Sequence, residues 1–450
     1  MCGNRLREKF IRKAVESTVD HRYLTCDSSF ILNFAVKKIS RLLMFFLFVT
    51  SLFPAIFQNK VWGYGPAFVI LFITAIFTLS EFRDNQHRLA LKSFVLDNRL
   101  LVTIILLYVI ITSTSAWMFG SPSDAASVIG SVIIIAVLLL FVSMEVREKG
   151  SFIFLIKLLF LIGVVNSVIA LILLVLQWSH GLSLGIFPAG QFSDTKLEVL
   201  QKMNVPFALK GLFWHPNFLG ILLAFAFPAG LFLAHEAKSL RNRVLSIAGL
   251  ALFLITMAYA FAFISFVPVC MVLLLFPIIR KRLIFKLVRI LILLMVLAIN
   301  IIVVKGYDLT FLKSLPITSK IRVDLWNHAI AVIHEHLLFG VGASNAAHYL
   351  PFRLSAHNTF LAIALGNGIL AMILYSAFLL TLTWRIRLTV DAPLSVYTIL
   401  TFVTFFILQL FETQIFGGMS IANFYFLIIM LAYLSISLSR TVICQKLQKL

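Results

Sequence analysis

Few side chains in this sequence can do chemistry, and they gather in two polar stretches and at one span end. The first stretch, Lys210-Gly211-Leu212-Phe213-Trp214-His215-Pro216-Asn217, leads into an apolar run. Pro216 suits the first turn of a helix, where its missing N–H is no loss. Lys210 and His215 are therefore expected beside a helix N-terminus, whose free N–H groups and dipole attract anions. The second stretch holds Arg322, Trp326, Arg353 and His357, the last at the mouth of another apolar run. Arginine grips phosphate through a planar fork, and lysine acts as a point charge. Histidine titrates near neutral pH and suits proton transfer. Glu412 is the only acid after Asp391 and lies at a span end. It reads as a second proton acceptor or, more plainly, as an ordinary loop residue.

Each candidate has a structural alternative. Arg322 suits a headgroup-facing position on an amphipathic helix. His357 suits a helix cap, and Lys210 suits a span boundary reached by snorkelling. Arg353 and His215 belong to long loops, which hold polar residues in any case. Trp326 fits an interfacial anchor as well as a platform for sugar stacking. His334-Glu335-His336 invites a zinc reading. Neighbours two apart on a helix do not face one way, and the helical zinc pattern needs a spacing of four, so no metal is expected.

The elements that position these residues follow from composition. Of 450 residues, 61% are hydrophobic and 12% charged. A soluble domain carries about 25% charged residues, so lipid must be the solvent for much of this chain. The apolar runs are continuous, which favours helices over an alternating β-barrel. The expected fold is all-α, a polytopic transmembrane helix bundle of about 12 spans with one large extracytoplasmic loop. Runs place spans near 39–57, 61–80, 100–120, 126–143, 152–177, 212–234, 244–259, 261–279, 287–305, 358–383, 394–410 and 417–437. The pair 244–259 and 261–279 also admits one long kinked helix.

The net charge of +20 orients these spans. With the N-terminus inside, 28 of the 38 lysines and arginines fall in cytoplasmic segments, nine fall outside and Lys157 lies within a span. Every inner loop is basic, including Arg280-Lys281-Arg282 after the doubtful pair, as the positive-inside rule requires. The basic balance is a topology signal, and no nucleic-acid partner is expected. Residues 1–38 form a basic cytoplasmic arm suited to anionic lipid, and 39–177 an N-terminal bundle. Residues 178–211 form the first long outer loop, 212–305 the middle spans and 306–357 the large outer loop. Residues 358–437 are the C-terminal spans and 438–450 a cytoplasmic tail. The four cysteines lack metal-site spacing, and no disulfide is expected. Loops as long as these two are often functional. Within the second, Trp326, Ile330 and Ile333 recur at helical spacing, which predicts an amphipathic helix along the membrane surface.

Arg322 with Trp326, Phe339-Gly340-Val341-Gly342, and His357-Asn358 leading to Gly366 and Gly368 resemble the large-loop motif of the O-antigen ligase and O-antigen polymerase family. Gly211 and Asn217 resemble that family's motif in the other long loop. Lysine stands at 210 where the family often has arginine, and a Ser-Arg pair often seen near the next outer hairpin is replaced by Tyr259-Ala260-Phe261-Ala262-Phe263. The resemblance implies a metal-independent glycosyltransferase of a bacterial inner membrane, active on the periplasmic side. The donor would be a polyprenyl-diphosphate-linked glycan. The acceptor would be lipid A core in a ligase, or a second lipid-linked glycan in a polymerase. Arg322 and His357 match the family's catalytic positions; Lys210, His215, Asn217, Arg353, Trp326 and Glu412 would contact diphosphate or glycan. No cofactor is expected. A polysaccharide or lipid transporter is the alternative of another class. Ion-coupled transporters bury ionisable groups near the midplane, whereas polar groups here sit at the outer boundary.

Overall fold

The computed structural model describes residues 39–47, 69–78 except 71, 85–119, 149–180, 186–188, 207–279 except 214, 281–310, 320–351, 355–386, 392–412 and 425–436, with isolated positions between 130 and 146 and at 423. The chain forms two compact units, Met1–Phe46 and Leu47–Leu450. Only residues 39–46 of the first are described, and they are helical. All that follows concerns the second unit.

Its helices are α1 (Asn85–Asp97), α2 (Arg99–Phe119), α3 (Lys149–His180), α4 (Pro216–Glu236), α5 (Leu240–Tyr259), α6 (Phe263–Leu275), α7 (Arg282–Lys305), α8 (Lys320–Glu335), α9 (Thr359–Arg385) and α10 (Ala392–Phe411). Among the described residues, α2, α3, α4, α5, α7, α9 and α10 are long and apolar enough to cross a membrane. They coincide with seven of the expected spans. Parts of the runs at 39–57, 61–80, 126–143 and 417–437 lie outside the described residues, and so do the arm and the tail. The 244–259 and 261–279 pair forms two helices, because a turn at 260–262 with Phe261 at φ 49° breaks the chain between them. The second of these, α6, is only 13 residues long.

Burial sorts these helices into a centre and a rim. Within their apolar windows α10 is 89% buried and α4 and α9 are 72% buried, against 22% for α7. The central α4 packs on α3, α5, α6 and α10, while α9 packs on α2, α7, α8 and α10. Three threonine hydroxyls inside α10 are satisfied within the helix. Thr398, Thr401 and Thr404 donate to the carbonyls of Leu394, Tyr397 and Leu400. In a low-dielectric interior an unpaired hydroxyl would be costly, and this back-bonding removes the cost.

The long loops are only partly helical. The first contains a ribbon of two strands, β1 (Ile186–Pro188) and β2 (Phe207–Leu209), paired antiparallel with Ile186 opposite Leu209. This small sheet departs from an all-helical chain. The second loop contains α8, as its periodicity predicts. Its apolar face of Val323, Leu325, Trp326, Ala329, Ile330, Val332 and Ile333 is buried, while Asp324, His328 and Glu335 are exposed. That face meets α9 and α7, so the stripe packs on protein.

The span α9 is not a continuous helix. Gly368 has φ 85°, ψ 170°, and the chain breaks there. The segment 337–342 lies against the break and completes its hydrogen bonds. Val341 N–H donates to Leu365 O at 2.9 Å, Gly342 N–H to Gly366 O at 3.0 Å, and Ile369 N–H to Leu337 O at 2.8 Å. The Ser115 hydroxyl of α2 reaches Phe339 O at 2.5 Å and Gly366 O at 3.0 Å. Gly340 has φ 68°, and a Cβ there would lie 2.4 Å from Leu365 O. At Gly368 a Cβ would lie 1.9 Å from Leu338 O. Only glycine permits this backbone-to-backbone seam.

Candidate active site

The site lies where α4 and α9 begin and α10 ends. Pro216 opens α4, and the residue before it, His215, is its N-cap; the His215 Nδ1 accepts from Asn217 N–H at 3.1 Å. An accepting Nδ1 places the ring proton of the neutral imidazole on Nε2. At the head of α9, Asn358 is the N-cap, and its side-chain oxygen accepts from Leu361 N–H at 3.1 Å. Both helices thus turn first-turn N–H groups toward one region, which favours negative charge there.

The negative charge is Glu412, one residue past α10. Its Oε1 accepts from Asn217 Nδ2 at 3.0 Å and lies 3.6 Å from the Arg322 guanidinium. Its Oε2 is 3.4 Å from His357 Nδ1. Four candidates separated by up to 195 residues therefore meet at one carboxylate. Burial pulls the Arg322 guanidinium below its ordinary value, and the Glu412 charge opposes that shift. A guanidinium stays charged in proteins, so its burial at 15% side-chain exposure calls for a partner of opposite sign.

His357 is held in an unusual backbone conformation, with φ 47°. For a residue with a Cβ this region costs about 1–2 kcal/mol and persists only where the surroundings impose it. They do so at four consecutive residues. Trp326 Nε1–H donates to Ala356 O at 2.8 Å, and His357 meets Glu412. Asn358 Nδ2 donates to Leu410 O at 3.1 Å, and the Thr359 hydroxyl donates to Glu412 O at 2.9 Å. The junction before α9 is thereby tied to α8 and to the end of α10.

The remaining candidates take other places. Trp326 is 6% exposed and turned inward, so its indole holds the junction rather than facing the membrane interface. Lys210 is half-buried just after β2, its carbonyl accepting from Phe213 N–H at 3.1 Å, and it is not brought to Glu412. Arg353 and Trp214 lie outside the described residues. The His334 and His336 rings go to different neighbours, Val303 O at 3.0 Å and the Tyr349 ring at 5.8 Å. Sequence reasoning left out Thr359 and Ser115. Each is a hydroxyl inside an apolar run, and no local pattern marks such a residue as a tether.

These features define a polytopic helical membrane protein with a guanidinium, an imidazole and a carboxylate clustered at the ends of its most buried helices. Residues 244–376 match the profile of the family described as O-Antigen ligase, so this part of the chain resembles that family. The match takes in Arg322, Trp326, the seam glycines and His357, and it leaves out Asn217 and Glu412. No curated protein matches the sequence.

Proposed function

We propose that the chain moves a glycan from a polyprenyl-diphosphate carrier to lipid A core, on the periplasmic side of a bacterial inner membrane. The observation that supports this most is the meeting of Arg322, Asn217 and His357 at the heads of two membrane helices. The acceptor hydroxyl gives its proton to His357 as its oxygen attacks the anomeric carbon. The bond from that carbon to the diphosphate breaks, and the electron pair leaves with the diphosphate. Arg322, Lys210 and the N–H groups at the heads of α4 and α9 stabilise the departing charge, with His215, Asn217 and Arg353 as further contacts. No ATP is needed, because the carrier bond supplies the driving force. The basic loops support a topology with both termini in the cytoplasm and this site outside.

The test uses purified protein in detergent with a labelled polyprenyl-diphosphate glycan and either lipid A core or a second carrier-linked unit. Label on lipid A core supports the ligase reading, and label on the second unit replaces it with polymerisation. Removing a general base costs on the order of 10²–10⁴ in rate, so His357→Ala should lose at least about 100-fold. Arg322→Ala should also lose most activity. Wild-type rates in both variants would overturn the assignment.

A further inference from the structure

We propose that Glu412 is a positioning residue that fixes the His357 ring, with Nδ1–H held inward and the bare Nε2 turned to the acceptor. This rests on the reading of His357 as the proton acceptor and adds to it a residue outside the segment that matches the family.

A carboxylate can only accept hydrogen bonds, so the ring nitrogen facing it carries the proton. That nitrogen is Nδ1, 3.4 Å from Oε2. The lone pair then belongs to Nε2. Exposure points the same way: the His357 side chain is 30% exposed and that of Glu412 only 11%. The imidazole can meet a hydroxyl from outside while the carboxylate stays behind it. Glu412 is itself immobilised. Its Oε1 takes Asn217 and Arg322, its carbonyl takes the Thr359 hydroxyl, and its Oε2 faces the ring. The three contacts come from α4, α8 and the start of α9, so the carboxylate carries the placement of three elements to one ring.

The charge matters as well as the shape. When Nε2 takes the acceptor's proton, an imidazolium forms beside Glu412 and is stabilised by it. Among the described residues, the charged groups brought together with the ring are Arg322 on α8 and Glu412 after α10. Arg322 disfavours the imidazolium, and Glu412 favours it. Glu412→Gln keeps the size and can still accept from Nδ1–H, but it lacks the charge. The imidazolium that forms on proton transfer is then less stable. The acid limb of the variant's pH–rate profile is therefore expected to move to lower pH.

The pH profile of glycan transfer is measured for wild type, Glu412→Gln, Glu412→Asp and His357→Ala. Glu412→Gln is expected to lose about tenfold or more on its plateau, with its acid midpoint lowered by about half a unit or more. Glu412→Asp, which keeps the charge, should retain the wild-type midpoint at a reduced rate. An unmoved midpoint in Glu412→Gln overturns the inference, whatever happens to the rate, because a mere tether would leave it unmoved. Full activity in His357→Ala overturns instead the reading beneath it. A measurement on wild-type protein stands apart from folding of the variants. The difference between ¹⁵N-histidine spectra of wild type and His357→Ala should show a proton on Nδ1 of neutral His357, and a proton on Nε2 would sink the proposal.

Discussion

Two parts of one loop, around Gly340 and around His357, are built on opposite principles. At 337–342 almost everything is backbone. Main-chain groups pair with the broken helix α9, and the side chains that matter are the ones missing from Gly340 and Gly368. At 356–359 almost everything is side chain: an indole, an imidazole, an amide and a hydroxyl each make a specific bond. Hydrocarbon cannot satisfy the orphan amides of a broken helix, so the first part closes a hole in the fold. The second holds a titratable ring in a strained backbone, as reactive sites do. Both lie inside the segment that matches the family, so the match alone does not separate architecture from chemistry.

The sharpest way to break this contrast is Gly368→Ala. A methyl group 1.9 Å from Leu338 O, at φ 85°, forces the seam apart. The loss should exceed about 3 kcal/mol, combining left-handed strain with overpacking. Thermal unfolding in detergent should show a collapsed midpoint or no folded protein. A variant that folded with normal stability but lost transfer activity would move the seam into the chemistry.

Trp326→Phe comes next and tests the other part. It keeps most of the buried ring but removes the N–H that holds Ala356 O. An unpaired buried carbonyl costs about 1–3 kcal/mol, so stability should fall modestly. The residue released is the neighbour of His357, so transfer should fall severalfold at saturating donor. Unchanged turnover would mean that the strained junction holds itself without the indole.

The sequence discloses these two parts unequally. Spans such as α4 and α7 are legible because length and hydropathy decide them. The residue types of the site are legible too, since lysines and arginines are scarce in the segments read as outer. The break in α9 is not, because hydropathy ignores φ and the run from Thr359 to Arg385 reads as one helix. The ribbon is not, because each strand has three residues and their pairing spans the first loop. Glu412 shows best why a site escapes local reading. As a residue it is one acid after a span; its meaning comes from Asn217, Arg322 and His357, which only packing of α4, α8, α9 and α10 brings to it.

Ser115→Ala gives the smallest effect and the finest cut. Its hydroxyl, on α2, bonds Phe339 O and Gly366 O. Gly366 O keeps a partner in Gly342 N–H, so one carbonyl loses its bond at most. The expected loss is about 1 kcal/mol, the net worth of a typical hydrogen bond. If the seam is architecture alone, that small loss should appear in thermal unfolding, while the acid midpoint and the choice between acceptors stay as in wild type. A shift in either would mean that strain passes from α2 through the glycines to His357, and the two halves of the loop would then be one device.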